Sequence, residues 1–202
     1  MAEALLNLLT WFSPAFPTGG FAYSSGLEWA VEQGMVGDEA TLTAWLRDSL
    51  GLGALRAEAV LLRRAWRGED IAELALALCN GAERRLETTA LGAAFAAAAE
   101  PWSGLAPTPY PVAAGRLCAR NGIAEDHAVL AYLHLAVAGQ ISAALRLIPL
   151  GQSAGLRGQA ALLGDILGAM AETRALELGG AAWAADIAGM NHETQYTRLF
   201  RT

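Results

Sequence analysis

Lysine is absent from this chain of 202 residues, and every basic residue in it is an arginine. That absence excludes a Schiff-base lysine. It also excludes a phosphate loop of the G-x-x-x-x-G-K-[ST] kind, whose lysine reaches the phosphates. The chain is therefore not itself a P-loop nucleotide hydrolase. No basic run occurs, the net charge is −6 and the pI is about 5.1, so no nucleic-acid partner is expected. Cysteine is scarce. Cys79 and Cys118 stand far apart and fit neither a C-x-x-C pair nor a zinc spacing, which predicts two buried free thiols instead of a disulfide. Sustained period-2 alternation of β-branched residues is missing, and with it any strand signal. The N-terminus carries no basic region followed by an apolar core and cleavage site, so the expected compartment is the cytoplasm. The most apolar long stretch, Ala128 to Ile148, contains His134, Gln140 and Arg146 and lacks basic flanks. It reads as a buried core helix, and no membrane span is expected.

What is present is helix. Hydrophobic residues make up 54% of the chain and charged ones 17%. Much of the apolar share is alanine, which favours helix and lets helices approach closely. The length suits one domain over residues 1–202, and the apolar surplus implies that another chain covers part of the surface. Apolar spacing and breakers predict an all-α bundle of about eight to ten helices. They run over Ala2 to Leu9, Gly26 to Gln33 (stopped by Gly34), a segment opened by Asp38 with Leu42, Trp45, Leu46 and Leu50 inward, and Leu55 to Trp66. Further helices follow from an Asp70/Glu73 start to Leu78, and over Ala82 to Ala99 and Val112 to Arg120. The last three are a long helix from Glu125 or Asp126 to Pro149, Leu156 to Leu178, and Ala181 to Ala188.

Three segments do not read as plain helix. The first, Trp11 to Trp29, sets Trp11, Phe12, Phe16, Phe21, Tyr23 and Trp29 around Pro14, Pro17 and the Gly19-Gly20 pair. The prolines fix φ and extend the residues before them, and the glycines open conformations closed to other residues. Ser25 and Glu28 spell an S-x-x-E capping box for the next helix. This is a shaped loop leading into a helix. The second segment, RLIPLGQ from Arg146 to Gln152, makes a sharp corner at Pro149 and Gly151; by itself it reads as a helix-end turn. The third is the tail, MNHETQYTRLFRT, over residues 190–202. Tyr196, Leu199 and Phe200 fall at i, i+3 and i+4, one face if the segment is helical, as in a tail that folds onto a partner.

In this order, SPAFPTGGFAYSSGLE, RLIPLGQ and HETQYTRLFR resemble the urease accessory proteins of the UreF family. The resemblance implies a protein that is not an enzyme. It implies an all-α dimer that bridges a UreD/UreH-type accessory protein and the GTPase UreG on the urease apoprotein. It further implies that nickel is handled by the complex, that GTP is bound by the partner, and that this chain holds no tightly bound cofactor or metal. The contact residues implied are Phe16, Pro17, Gly20, Tyr23, Ser24 and Glu28 in the loop, and His192, Tyr196, Arg198, Leu199 and Phe200 in the tail, the tail docking on the UreD/UreH-type partner. Arg146, Gly151 and Gln152 are assigned to the dimer or GTPase-facing surface.

Other readings are weaker. Ser24, His192 and Glu193 supply the residue types of a hydrolase, but Ser24 lies in no G-x-S-x-G elbow. His127 and His134 are two helical turns apart, about 10 Å, too far for one ion on a straight helix. A generic helical scaffold for some other apolar partner accounts for the composition but not for the three segments. With fourteen arginines, candidates for an arginine supplied to a GTPase are easy to name and hard to rank; Arg56, Arg63, Arg64, Arg84 and Arg85 are expected on solvated helix faces.

Overall fold

The computed structural model describes residues 2–202, and among them no strand occurs. The α-helices are α1 (Ala2–Trp11), α2 (Leu27–Glu32), α3 (Glu39–Gly51), α4 (Ala54–Trp66), α5 (Ala72–Ala77) and α6 (Ala82–Ala98). They continue with α7 (Tyr110–Arg120), α8 (Glu125–Leu147), α9 (Gln152–Ala161), α10 (Leu163–Glu172) and α11 (Trp183–His192). Short 3-10 turns lie at Gly20–Ala22 and Thr173–Ala175. This is helix packed on helix, as the apolar periodicity requires.

Local chemistry explains most boundaries. Asp38 accepts from the Thr41 amide at 2.8 Å, and Thr41 Oγ1 accepts from the Asp38 amide at 3.1 Å, a reciprocal cap for α3. Gly34, at φ 70°, ends α2 in a Schellman turn, its own amide bonding the Val31 carbonyl and that of Met35 the Ala30 carbonyl. Gly51 and Gly53 separate α3 from α4. Ile148, held extended by Pro149, ends α8.

Helix α8 is the hub and touches α1, α2, α3, α4, α7, α9 and α10. It is long and apolar enough to cross a bilayer by length and composition, yet Val129, Leu133 and Val137 on it are fully buried in the bundle. Trp11, Leu46, Leu62, Phe95 and Leu117 complete the same core. Cys118 is buried in it, and burial pushes its thiol up to about 12; Cys79 is half-buried, and both are free.

Helices α4 and α7 cross closely because Gly115 has no side chain. A Cβ there would collide with the Leu62 carbonyl oxygen and come within 3.1 Å of the Trp66 nitrogen, both on the α4 backbone. Gly115→Ala is therefore expected to force the helices apart and to cost about 1–3 kcal/mol in urea unfolding.

Three expectations fail locally. Asp70 does not cap α5, whose first flanking residue is Ile71; Asp70 instead pairs with Arg116 at 3.1 Å. The helix expected over Leu156 to Leu178 is divided at Leu162 and ends at Glu172, where Thr173 Oγ1 donates to the Ala169 carbonyl at 2.8 Å. Arg63 is not on a solvated face: its side chain is 1% exposed. It donates to the Met170 carbonyl at 2.6 Å and so satisfies a terminal acceptor of α10.

Candidate functional site

The loop over residues 12–26 and the tail over residues 193–202 meet on one side of the bundle. Phe12 and Phe16 anchor the loop in an aromatic cluster, with Phe16 5.4 Å from the Phe95 ring and Phe12 6.3 Å from that of Tyr132. Tyr23 is half-buried, whereas Pro17, Gly20 and Phe21 face solvent.

The capping box expected at Ser25 does not form. Ser25 stands left-handed at φ 53° and sends its hydroxyl to Glu87 at 3.2 Å. Ser24 does the capping, its Oγ accepting from the Glu28 amide at 3.3 Å. The reason is steric. Gly26 immediately precedes α2 at φ 81°, and a Cβ on it would lie 2.7 Å from the Gly189 nitrogen of α11. The chain must turn left-handed at Ser25 and Gly26 to bring α2 against α11, and this carries the Ser25 side chain away from the helix end.

Glu28, freed from capping, holds the tail. Its carboxylate is buried and accepts from the Leu199 amide at 2.6 Å and the Phe200 amide at 2.9 Å. His192 is fully buried, with Nε2 3.2 Å from Glu28 Oε2 and Nδ1 2.6 Å from Glu83 Oε2. Arg198 reaches the other Glu83 oxygen at 2.6 Å. Beyond Phe200 the tail runs beside the loop, the Arg201 amide donating to the Ala22 carbonyl and that of Ser24 to the Thr202 carbonyl, each at 2.9 Å. The Ser24 hydroxyl also donates to the Thr202 carbonyl, and Thr202 Oγ1 to Glu87 at 3.0 Å. Arg84 bridges Glu87 (2.8 Å) and Glu58, tying this network to α4. Arg146 lays its guanidinium 4.2 Å from the centre of the Phe200 ring.

The tail is thus not helical, and Tyr196, Leu199 and Phe200 share no face. Phe200 is 4% exposed, while Leu199 is 64% exposed and Tyr196 entirely so. His192 belongs to the end of α11 and to the interior. Of the residues singled out in the sequence, the fold gathers Ser24, Glu28, Arg146, His192, Arg198 and Phe200 into one clasp. Gly151 and Gln152 stand exposed at the corner between α8 and α9, outside it. The Ser24 hydroxyl bonds the Thr202 carbonyl, and the His192 nitrogens face two glutamates, so no nucleophile–base pair forms between them. His127 and His134 are exposed, and the described residues contain no cluster of three or more potential metal ligands.

Glu83, Glu87, Arg84 and Thr202 were missed. A signal existed: Glu83 and Glu87 are like charges one turn apart, an arrangement that destabilises a helix unless each finds a partner.

A sequence model of the UreF family matches residues 36–163, well over half of the chain. The chain belongs to the UreF family. A urease accessory protein UreF of Cereibacter sphaeroides ATCC 17029 is 46% identical over 210 residues, with both chains covered in full. One from Bradyrhizobium diazoefficiens is 47% identical over 226 residues, covering all of this chain and 93% of the relative. One from Rhodopseudomonas palustris BisA53 is 44% identical over 227 residues, covering all of this chain and 94% of the relative. The loop and the tail lie outside the span of the UreF family model, but these full-length UreF relatives align across them. Membership of the UreF family gives this chain a role in urease maturation.

Proposed function

We propose that this chain bridges a UreD/UreH-type accessory protein and the GTPase UreG, as a dimer in a cytoplasmic complex that delivers nickel to apo-urease. It makes contacts and modulates the GTPase; it catalyses no reaction itself. Nickel is cargo of the complex, and GTP resides on the partner, in keeping with a chain that has no lysine for a phosphate loop.

The observation that carries this reading is the two-sided tail. Its inner atoms, from His192 to Thr202, hold the body, while Tyr196 and Leu199 point outward without cover. An ordered segment that spends buried hydrogen bonds to display apolar side chains is built to be touched. Leu5, Leu6 and Leu9 on α1 and Trp183, Ile187 and Met190 on α11 are also exposed, which suits a subunit with several interfaces.

Removing the residues after Asn191 is expected to abolish co-purification with the UreD/UreH-type protein and to stop nickel- and GTP-dependent activation of urease in a reconstituted mixture. Undiminished binding by the truncated chain would overturn the docking assignment.

A further inference from the structure

A cavity of about 500 Å³ lies behind the clasp, between the aromatic loop, α4, α6, α8 and α11. Phe16, Tyr110 and Tyr132 form an aromatic wall, the two tyrosine rings 5.2 Å apart. Hydroxyls on the lining can donate or accept; apart from the Arg84 guanidinium, the charged groups there are acceptors. Glu58 and Glu87 share the single cation Arg84. Asp186 receives a hydrogen bond from Asn80 at 3.1 Å and has no cationic partner among the described residues. Gln140 also lines the space, but its Oε1, unpartnered among the described residues, is closed off from it. Glu83 also lines the space, but its carboxylate is turned to His192 and Arg198.

Three carboxylates, Glu58, Glu87 and Asp186, thus line the space with one guanidinium, which pairs with the first two and leaves Asp186 without a counter-charge, beside aromatic rings. A bare metal ion does not fit, since no set of three ligating side chains is present among the described residues. The complement is a cation with N–H donors and a flat or methylene-rich body.

We propose that this cavity binds an organic cation, a guanidinium or primary ammonium group, with Asp186 accepting its hydrogen bonds and the aromatic wall packing against it. The cation comes either from a small free molecule or from an arginine or lysine side chain of a partner segment. The proposal does not depend on the partners assigned above.

Calorimetric titration of the full chain tests it, using butylguanidinium and its uncharged isostere butylurea. An arginine-bearing hexapeptide and its citrulline counterpart form the second arm. Butylguanidinium is expected to saturate the site and to bind at least about tenfold more tightly than butylurea, a difference of about 1.4 kcal/mol. Asp186→Asn should remove most of that preference, and Phe16→Leu should weaken binding independently; thermal unfolding checks that each variant folds. If the hexapeptide binds more tightly than butylguanidinium and is sensitive to Asp186→Asn, the source is a partner's side chain. If the small cation binds and the hexapeptide does not, the source is a free molecule. Equal affinity for butylguanidinium and butylurea, no saturable binding, or unchanged affinity in both folded variants would overturn the proposal.

Discussion

Arg63→Ala is expected to destabilise the chain by about 2–4 kcal/mol, measured by urea unfolding, because it removes a buried guanidinium and the hydrogen bonds it makes. The guanidinium reaches Glu125 and Asp126 at the start of α8, each at 2.7 Å, together with the Met170 carbonyl and the Thr173 hydroxyl at the end of α10. One side chain of α4 thus satisfies groups on two other helices. Alanine leaves a cavity and removes the shorter of the two side-chain hydrogen bonds to the Met170 carbonyl, which keeps only the Thr173 hydroxyl at 3.2 Å, and lysine lacks the planar fork to replace it, so Arg63→Lys should recover little.

The effect has a pH signature. Hydrogen bonds from Arg174 and then Arg63 hold the Asp126 carboxyl down to about 2, from an ordinary value of 3.8. Burial pushes Glu125 up, but hydrogen bonds from Arg67 and Arg63 outweigh it and leave its value lowered. A carboxylate with a depressed folded-state value stabilises the fold above its unfolded value, and the contribution disappears as pH falls through the folded one. Stability should therefore drop between about pH 4 and pH 2, and the drop should be smaller in Arg63→Ala. An unchanged acid limb in the variant would exclude Arg63 as a cause.

Glu28→Gln is expected to release the tail while leaving the helical body folded. The carboxylate accepts from two tail amides and faces His192. Glutamine offers one oxygen and turns an NH₂ group toward groups that need an acceptor. Loss of charge-assisted bonds worth about 2 kcal/mol or more should raise the open population at least about thirtyfold. Hydrogen exchange at the Leu199 and Phe200 amides reads this directly, and trypsin should cut faster after Arg198. Urease activation in the reconstituted mixture should fall with it. Retained amide protection at both positions would show that Phe200 burial, not Glu28, holds the tail.

The clasp was half legible. Its loop half stood out because six aromatics, two prolines and paired glycines cannot continue a helix. The tail half stood out by residue type, but its i, i+3, i+4 spacing suggested a helical face that does not exist. Main-chain amides of Leu199 and Phe200 bind a carboxylate distant in sequence, and no local pattern announces such a partner. Ser25 and Glu28 show the same override: the local capping box loses to the close approach of Gly26 and Gly189. Arg63 looked like one more arginine on a polar face, since periodicity reports which residues are apolar and not which charges will meet across the bundle.

Helix content, the lack of strand signals, the helix breaks at Gly34 and Pro149 and the lack of any phosphate-loop lysine were all determined by the residues in order. Each depends on propensity, period or chemistry that acts within a few positions along the chain. The burial of His192 and Arg63, the capture of the tail by Glu28 and the acceptor-lined cavity were decided only by the packed tertiary structure. They arise where helices distant in sequence cross, and at such crossings close approach and desolvation set which polar groups must find one another.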